Sequence, residues 1–396
     1  MVKVEEAKRL LFEEIQRSKS VKVKIADALG CVISQDIFSP IDMPLFDQSS
    51  MDGYAVCSGN DFSRKEFTVV GEIKAGDDIS VGLSPGECVR IYTGAAVPES
   101  SDAIIIQENT EEKNGKISVR LEYKKSDHIR LKSSQIKKGE LALKKNMLLN
   151  PAAIGFLAML GIETVEVFLN PKISIIVTGN EIVRVGEELK RGKIYESNSV
   201  VLNAALKQMN INVNHQFTVE DDKNELKKKI ELAIADSDIL ILSGGISVGK
   251  YDFVFDALKE LGTKETYYKI YQKPGKPMFA GKLKGTFVFA LPGNPASALV
   301  CFYEYVYPSI RKMCGFVNYE LRKLMLKTVS GIKKKEGKAA FIRSKITDEG
   351  VMELEGQGSD MLRSFSEADS FIYLDLDKGN ITQNELVEVH LLPVYF

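Results

Sequence analysis

The 396-residue chain balances 53 Lys and Arg against 54 Asp and Glu, a formal net charge of −1, so no global basic field exists to recruit nucleic acid. Its length calls for roughly two to four domains, and 44% hydrophobic with 27% charged residues is the composition of a globular protein. No apolar run reaches the ~18 residues of a membrane span, and Met1-Val2-Lys3-Val4-Glu5-Glu6 lacks the apolar core of a signal peptide. The expected location is therefore the cytoplasm, with no membrane and no nucleic acid among the partners. Cys31, Cys57, Cys88, Cys301 and Cys314 are odd in number and form no Cys-x-x-Cys pair, which fits buried thiols and not a disulfide frame. His128, His215 and His390 are scattered, form no metal-ligand motif and are expected at the surface.

In chain order, residues 4–17 place Val4, Ala7, Leu10, Leu11 and Ile15 at helical spacing. From 21 to 148 the pattern changes to short strands separated by Gly, Pro, Asp and Asn turns, with strands expected at Phe67–Ile73, Cys88–Thr93 and Asp102–Gln107. This mostly-β region reads as an insertion between helical elements. Pro151–Leu160 begins another helix, with proline in its first turn.

Residues 171–316 alternate strand and helix, the signature of βαβ units on a mostly parallel sheet. Strands are expected at Ile173–Val177, Asp238–Leu242 and Phe287–Leu291. Helices are expected at Asn198–Met209, Asn224–Ala235, Asp252–Leu261 and Ala296–Met313. After Gly315 the pattern returns to β, with turns at Gly331, Gly337, Gly350, Gly356–Gly358 and Gly379, giving a small terminal β domain.

Three strand ends carry the chemistry. Ile173–Val177 runs into Thr178-Gly179-Asn180-Glu181, where Glu181 is a candidate metal or hydroxyl partner. Ile239–Leu242 runs into Ser243-Gly244-Gly245-Ile246-Ser247-Val248-Gly249. Glycines at such a turn let backbone N–H groups approach an anion at a helix N-terminus. Phe287–Leu291 runs into Pro292-Gly293-Asn294-Pro295, whose prolines fix the loop without local hydrogen bonds. Lys273-Pro274-Gly275-Lys276-Pro277 is a stiff hook whose two ammonium groups suit an anionic ligand. Ligands of open α/β sheets bind at the carboxyl ends of strands near a switch in strand order. The three ends therefore point to one site, with Asp221 or Asp222 beside it and one of the two capping the next helix.

These segments resemble the molybdopterin molybdenumtransferases, the MoeA and gephyrin E-domain family. The resemblance rests on Pro44-Leu45-Phe46-Asp47-Gln48-Ser49-Ser50-Met51-Asp52-Gly53-Tyr54-Ala55-Val56, on Arg90-Ile91-Tyr92-Thr93-Gly94-Ala95, on the strand-end motifs above, and on Gly356-Gln357-Gly358-Ser359. It covers almost the whole chain in the right order. It implies a central MogA-like α/β domain at 171–316 that binds molybdopterin, an inserted mostly-β domain at 43–141, a C-terminal β-barrel-like domain at 317–396, and a linking and dimerisation domain from 1–42 and 142–170.

The implied reaction inserts molybdate into adenylylated molybdopterin, releasing AMP and molybdenum cofactor with the help of Mg²⁺. The implied assembly is a homodimer whose site joins two subunits. A molybdopterin-adenylylating enzyme and molybdoenzyme acceptors would be its partners. Carried over position by position, the resemblance makes Asp52, Thr93, Glu181, Asp252, Lys273 and Lys276 the catalytic set. Asp52, Glu181, Asp222 and Asp252 would be the metal ligands. Ser243, Gly244, Gly245, Ser247, Gly249, Lys269, Pro292, Gly293, Asn294 and Pro295 would bind the ligand. Two departures stand out: Asn180 where many members have Asp, and Gln135, in His128-Ile129-Arg130-Leu131-Lys132-Ser133-Ser134-Gln135-Ile136, where the family has Asp. A neutral amide brings no anionic charge to a cation. Alternative readings are an enzyme that adenylylates molybdopterin and a catalytically weak dimeric scaffold of the gephyrin type.

Overall fold

The computed structural model describes residues 1–77, 81–246 and 253–393. The chain forms two compact units, Val23–Leu29 with Gln35–Val165, and Met1–Lys22 with Gly30–Ser34 and Glu166–Phe396.

The smaller unit is built on a six-stranded sheet in the order Ala103–Ile106, Gly53–Val56, Glu87–Ile91, Glu66–Ile73, Lys116–Val119, Thr110–Lys113. The mostly-β expectation for this region holds. Its strands alternate inward and outward, so Tyr54, Val56, Cys88 and Ile105 fill one apolar layer and Ala55, Val89, Ile91 and Ile104 the other. A Cβ at Gly53 would lie 2.0 Å from the Ile105 carbonyl oxygen, so only glycine allows this close strand pairing. The strand expected to reach Thr93 stops at Ile91, because Thr93 turns to bond Asp52. The Pro151–Met159 helix starts where Asn150 accepts a hydrogen bond from the Ala153 N–H at 2.8 Å.

The larger unit holds the α/β sheet, in the order Val213–Val219, Ile173–Thr178, Ile239–Ser243, Thr286–Leu291, Phe279–Leu283, Lys264–Tyr268. The first four strands are parallel, and the last two are antiparallel to their neighbours. The sheet is thus mixed, with its parallel half around the expected strands. Ile173–Thr178, Ile239–Ser243 and Thr286–Leu291 are buried along their whole length, which is why they read as nearly continuous apolar runs, with Ser174 the one interior polar residue. Ile175, Ile241 and Phe289 face one layer with Leu202 and Leu206; Ile176, Leu240 and Val288 face the other with Leu226, Ile230 and Leu258. Burying each such side chain contributes about 1.5–3 kcal/mol. From Ile173–Thr178 the chain passes to Val213–Val219 on one side, then crosses to Ile239–Ser243 on the other. Strand order therefore switches between the carboxyl ends at Thr178 and Ser243.

The helix expected at 296–313 is continuous but not uniform. Pro295–Cys301 and Tyr307–Met313 are α-helical and flank a π turn at Phe302–Val306. Pro308 has no N–H to offer the Glu304 carbonyl and its ring crowds that oxygen, so the turn widens just upstream.

The C-terminal strands form a second mixed sheet, in the order Gln272–Lys273, Ala339–Thr347, Ser370–Leu374, Leu386–Leu391, Lys323–Lys327, with Gly350–Glu353 also on Ala339–Thr347. A bridge between Thr328 and Val351 joins its margins, giving the barrel-like closure around Ile332, Ile342, Ile372, Val387 and Val389.

The surface expectation fails for His390, which is 1% exposed. It sits on an alternating strand whose inward face it occupies, and the charges around it make that burial tolerable. Its Nδ1 lies 2.7 Å from Glu304 Oε1 and its Nε2 2.8 Å from Glu388 Oε1; Lys8 Nζ meets Glu304 Oε2 at 2.6 Å. Burial opposes the charge on each of these groups. For Glu304, Lys8 and His390 outweigh it and hold the carboxyl down to about 2. For His390, the two glutamates win and the imidazole is raised. All five cysteines are free thiols, four of them buried, and among the described residues no helix is long and apolar enough to cross a membrane.

Candidate functional site

At the strand-order switch lies a cleft of about 1060 Å³. Three consecutive pieces of chain line it at the carboxyl ends of the parallel strands: Thr178–Gly179 with Glu181, Gly244–Ile246, and Pro292–Pro295. Asp221, Lys276 and Asp360 also line it, together with Glu196, Asn198 and Asp256. The sequence-predicted strand ends thus converge in the place where α/β sheets bind ligands.

The turns are held by backbone demands and a buried amide. Gly244 has φ +93°, and a Cβ there would lie 2.3 Å from the Thr178 carbonyl oxygen. Gly293 packs against Gly244, its own added Cβ falling in ordinary contact with the Gly244 Cα at 3.5 Å. Asn198 Nδ2 donates to Ser243 Oγ at 2.8 Å and to the Gly293 carbonyl at 2.7 Å, tying the glycine turn to the proline turn. Ser243 Oγ in turn donates to the Pro292 carbonyl at 3.3 Å, so this serine is fully buried and structural. Asn198 Oδ1 and Thr178 Oγ1 are buried with no hydrogen-bond partner among the described residues.

The proline turn is also braced from the terminal sheet. Asn294 Nδ2 donates to Ser359 Oγ at 2.8 Å, and the Ser297 N–H donates to the Ser359 carbonyl at 3.2 Å. The Gly356–Met361 loop is itself gathered by Arg343, which is 1% exposed. Its guanidinium donates to the carbonyls of Gly356 at 2.8 Å, Gly358 at 3.0 Å and Met361 at 3.3 Å. This buried arginine fixes how Ser359 and Asp360 are presented, and burial lowers its pKa from the usual value.

The remaining candidates fall as follows. Asn180 Oδ1 accepts from the Asp221 N–H at 3.0 Å, a bond an aspartate would also accept. Asp222 caps the Lys223–Ile234 helix, accepting from the Glu225 N–H at 2.7 Å; Asp221, not Asp222, lines the cleft. In the hook, Lys276 is half-buried in the cleft lining. Lys273 is exposed on the Gln272–Lys273 strand, which pairs with Ala339–Ala340. Lys269 has φ +64° and lays its ammonium 4.4 Å over the Tyr268 ring, outside the cleft lining. Ser247, Gly249 and Asp252 lie outside the described residues. Among the described residues no three His, Cys, Asp or Glu side chains gather as a ready-made metal cage.

Asp52 and Thr93 belong to the smaller unit, where they meet. Asp52 Oδ1 accepts from the Thr93 N–H and from Thr93 Oγ1, both at 2.8 Å. The Thr93 N–H, then its hydroxyl, then the nearby Arg90 hold this exposed carboxyl below the ordinary range. Arg90 is clamped by Tyr54 Oη at 2.9 Å and Gln107 Oε1 at 2.6 Å. The same end of the unit weaves three distant stretches together. Ser49 pairs with Ile129, the Gly94 N–H donates to Ser49, and the Gln135 N–H donates to the Met43 carbonyl at 3.0 Å. Gln135 therefore sits in a backbone-anchored loop beside the Pro44–Val56 stretch, with its side chain exposed.

Sequence reasoning missed Asn198, Asp360 and Arg343. The Gly356–Ser359 motif flagged the loop, but an arginine in a strand gives no local sign that it faces inward.

A cleft built from glycine and proline turns at the switch point of an α/β sheet lies where proteins of this class bind their ligands. Residues 2–161 match the MoeA N-terminal region (domain I and II), 174–312 a probable molybdopterin binding domain, and 326–392 the MoeA C-terminal region (domain IV). The chain is 33% identical to the molybdopterin molybdenumtransferase of Haemophilus influenzae over 99% of its own length and 100% of that protein's. It is 30% identical to the enzyme of that name from Staphylococcus aureus over 87% of this chain and 84% of that one. The crystal structure of a molybdopterin biosynthesis MoeA protein from Pyrococcus horikoshii superposes with a TM-score of 0.85 at 32% identity, covering 100% of both chains. The chain belongs to the molybdopterin molybdenumtransferase (MoeA) family.

Proposed function

We propose that this chain is a transferase of molybdenum-cofactor biosynthesis, inserting molybdate into adenylylated molybdopterin with release of AMP. The observation that carries the reading is the cleft itself, where the Gly244–Gly245 turn, the Pro292–Pro295 turn and Lys276 converge at the strand-order switch. The substrate's phosphates need backbone N–H groups and a cation, which the glycine turn and Lys276 supply. Lys276 orients the pyrophosphate and draws negative charge from the bond that breaks to free AMP. The buried Asn198 clamp keeps the two turns in register while the ligand is held.

Glu181 and Asp221 are exposed carboxylates in the cleft lining, the hard oxygen donors that suit Mg²⁺ shared with substrate phosphates. Bound there, Mg²⁺ would neutralise phosphate charge. A functional homodimer, active in the cytoplasm and serving molybdoenzyme acceptors, belongs to the same reading and is supported by the family resemblance. The test is AMP release from adenylylated molybdopterin by the purified protein. Release that requires molybdate and rises with Mg²⁺ supports the reading; no release with bound substrate contradicts it.

A further inference from the structure

The Lys276 hook rests on a buried polar pair, Gln272 and Tyr305, that lies outside the cleft lining. Gln272 is fully buried, and its Nε2 donates to the carbonyls of Pro274 at 3.1 Å and Gly275 at 3.3 Å. Both partners can only accept, which fixes the amide with Oε1 on the opposite side. There Oε1 receives the hydroxyl of Tyr305, itself fully buried in the π turn. Gly275 has φ +88°, and a Cβ there would lie 2.4 Å from Cys301 Sγ and 2.7 Å from Gln272 Nε2. At its far end, the Ile270 N–H donates to the Lys276 carbonyl at 3.0 Å. Widening the helix at Phe302–Val306 rotates Tyr305 relative to an unbroken α-helix, and π turns recur where a helix serves a site.

We infer that Tyr305 and Gln272 are positioning residues: through the Pro274 and Gly275 carbonyls they set where Lys276 meets the anionic ligand. The inference rests on the proposed role of Lys276. Burial drives the Tyr305 phenol well above its ordinary pKa, so it remains a donor throughout the working range. Freed of the phenol, the Gln272 amide can turn. The hook then samples conformations in which Lys276 is out of place, and affinity falls by the fraction of time it is.

The experiment is a double-mutant cycle read by equilibrium binding of adenylylated molybdopterin to the full chain. Tyr305→Phe keeps the ring and removes the one hydrogen bond, so affinity should fall about fivefold, the worth of one buried hydrogen bond. In a Lys276→Ala background the same change should have almost no further effect, because the residue through which it acts is gone. Gln272→Leu, which removes the amide donor to both hook carbonyls and leaves the Gly275 carbonyl only the weak Cys301 thiol, should cost more than Tyr305→Phe and show the same dependence on Lys276. Thermal melts of the Tyr305→Phe pair confirm folding. Equal losses from Tyr305→Phe with and without Lys276 would overturn the positioning role while leaving Lys276 in the site. A Lys276→Ala protein that binds as tightly as the wild type would overturn both.

Discussion

Lys273 and Lys276 stand three residues apart on one hook, yet only Lys276 lines the cleft. The sequence assigns them equal parts because Pro and Gly stiffen both positions, and spacing carries no information on which way each points. Removing a charge-assisted hydrogen bond costs about 1.5–3 kcal/mol. Lys276→Ala should therefore weaken binding of adenylylated molybdopterin by about tenfold or more, and Lys273→Ala by much less; isothermal titration separates them. Gln135 poses a second question of this kind. Its backbone is anchored beside the Pro44–Val56 stretch, and it carries an amide where the resemblance leads one to expect a carboxylate. Gln135→Asp should lower the Mg²⁺ concentration for half-maximal AMP release, since cation affinity grows with ligand charge. Superimposable Mg²⁺ titrations would remove Gln135 from the site. The converse holds for Arg343, in a strand, and Asn198, at the start of the Asn198–Gln208 helix. Their roles depend on which way they face in the packed fold, and no single residue or its neighbours announces that.

Secondary elements were legible wherever a long periodic or apolar run met strong punctuation. The buried parallel strands at 173–178, 239–243 and 286–291 are largely apolar runs closed by Gly or Pro, and their ends gave the site. The antiparallel pair Lys264–Tyr268 and Phe279–Leu283 was not legible. One strand is polar and partly exposed, and the other carries Gly281 and Lys282 in its middle. The π turn was likewise hidden, because its apolar spacing passes for an ordinary helix. Asp222 shows how an element can claim a residue that chemistry seems to need. As the N-cap of Lys223–Ile234 it satisfies the Glu225 N–H. Asp222→Ala should destabilise the protein by about 1 kcal/mol, the typical worth of such a cap, while leaving ligand affinity near that of the wild type. Chemical denaturation alongside titration checks both halves. A large loss of Mg²⁺-dependent activity without loss of stability would return Asp222 to the metal.

Across the larger unit, one charged knot links the N-terminal helix, the π turn and the C-terminal sheet through Lys8, Glu304, His390 and Glu388. Its pH dependence follows from the directions of the shifts. His390 is raised, so its contribution to stability is full below the unfolded value of ~6.5 and is lost as pH rises through the folded value. Glu304 and Glu388 are held down to about 2, so theirs is full above the unfolded value of ~4.3 and is lost as pH falls toward 2. The stability advantage of the wild type over His390→Gln should therefore be greatest at about pH 5–6 and shrink on the alkaline side. Urea melts across pH measure it, and an advantage that grows above neutrality would contradict the assignment.

The central claim for the whole molecule is the direction of its chemistry, and two substrate pairs offered to the same purified protein decide it. One is adenylylated molybdopterin with molybdate; the other is molybdopterin with ATP, each with Mg²⁺. The account predicts AMP from the first pair, dependent on molybdate and strongly reduced in Lys276→Ala, with no pyrophosphate from the second. Pyrophosphate released from ATP, with no molybdate-dependent AMP, would contradict it and make the chain an adenylylating enzyme.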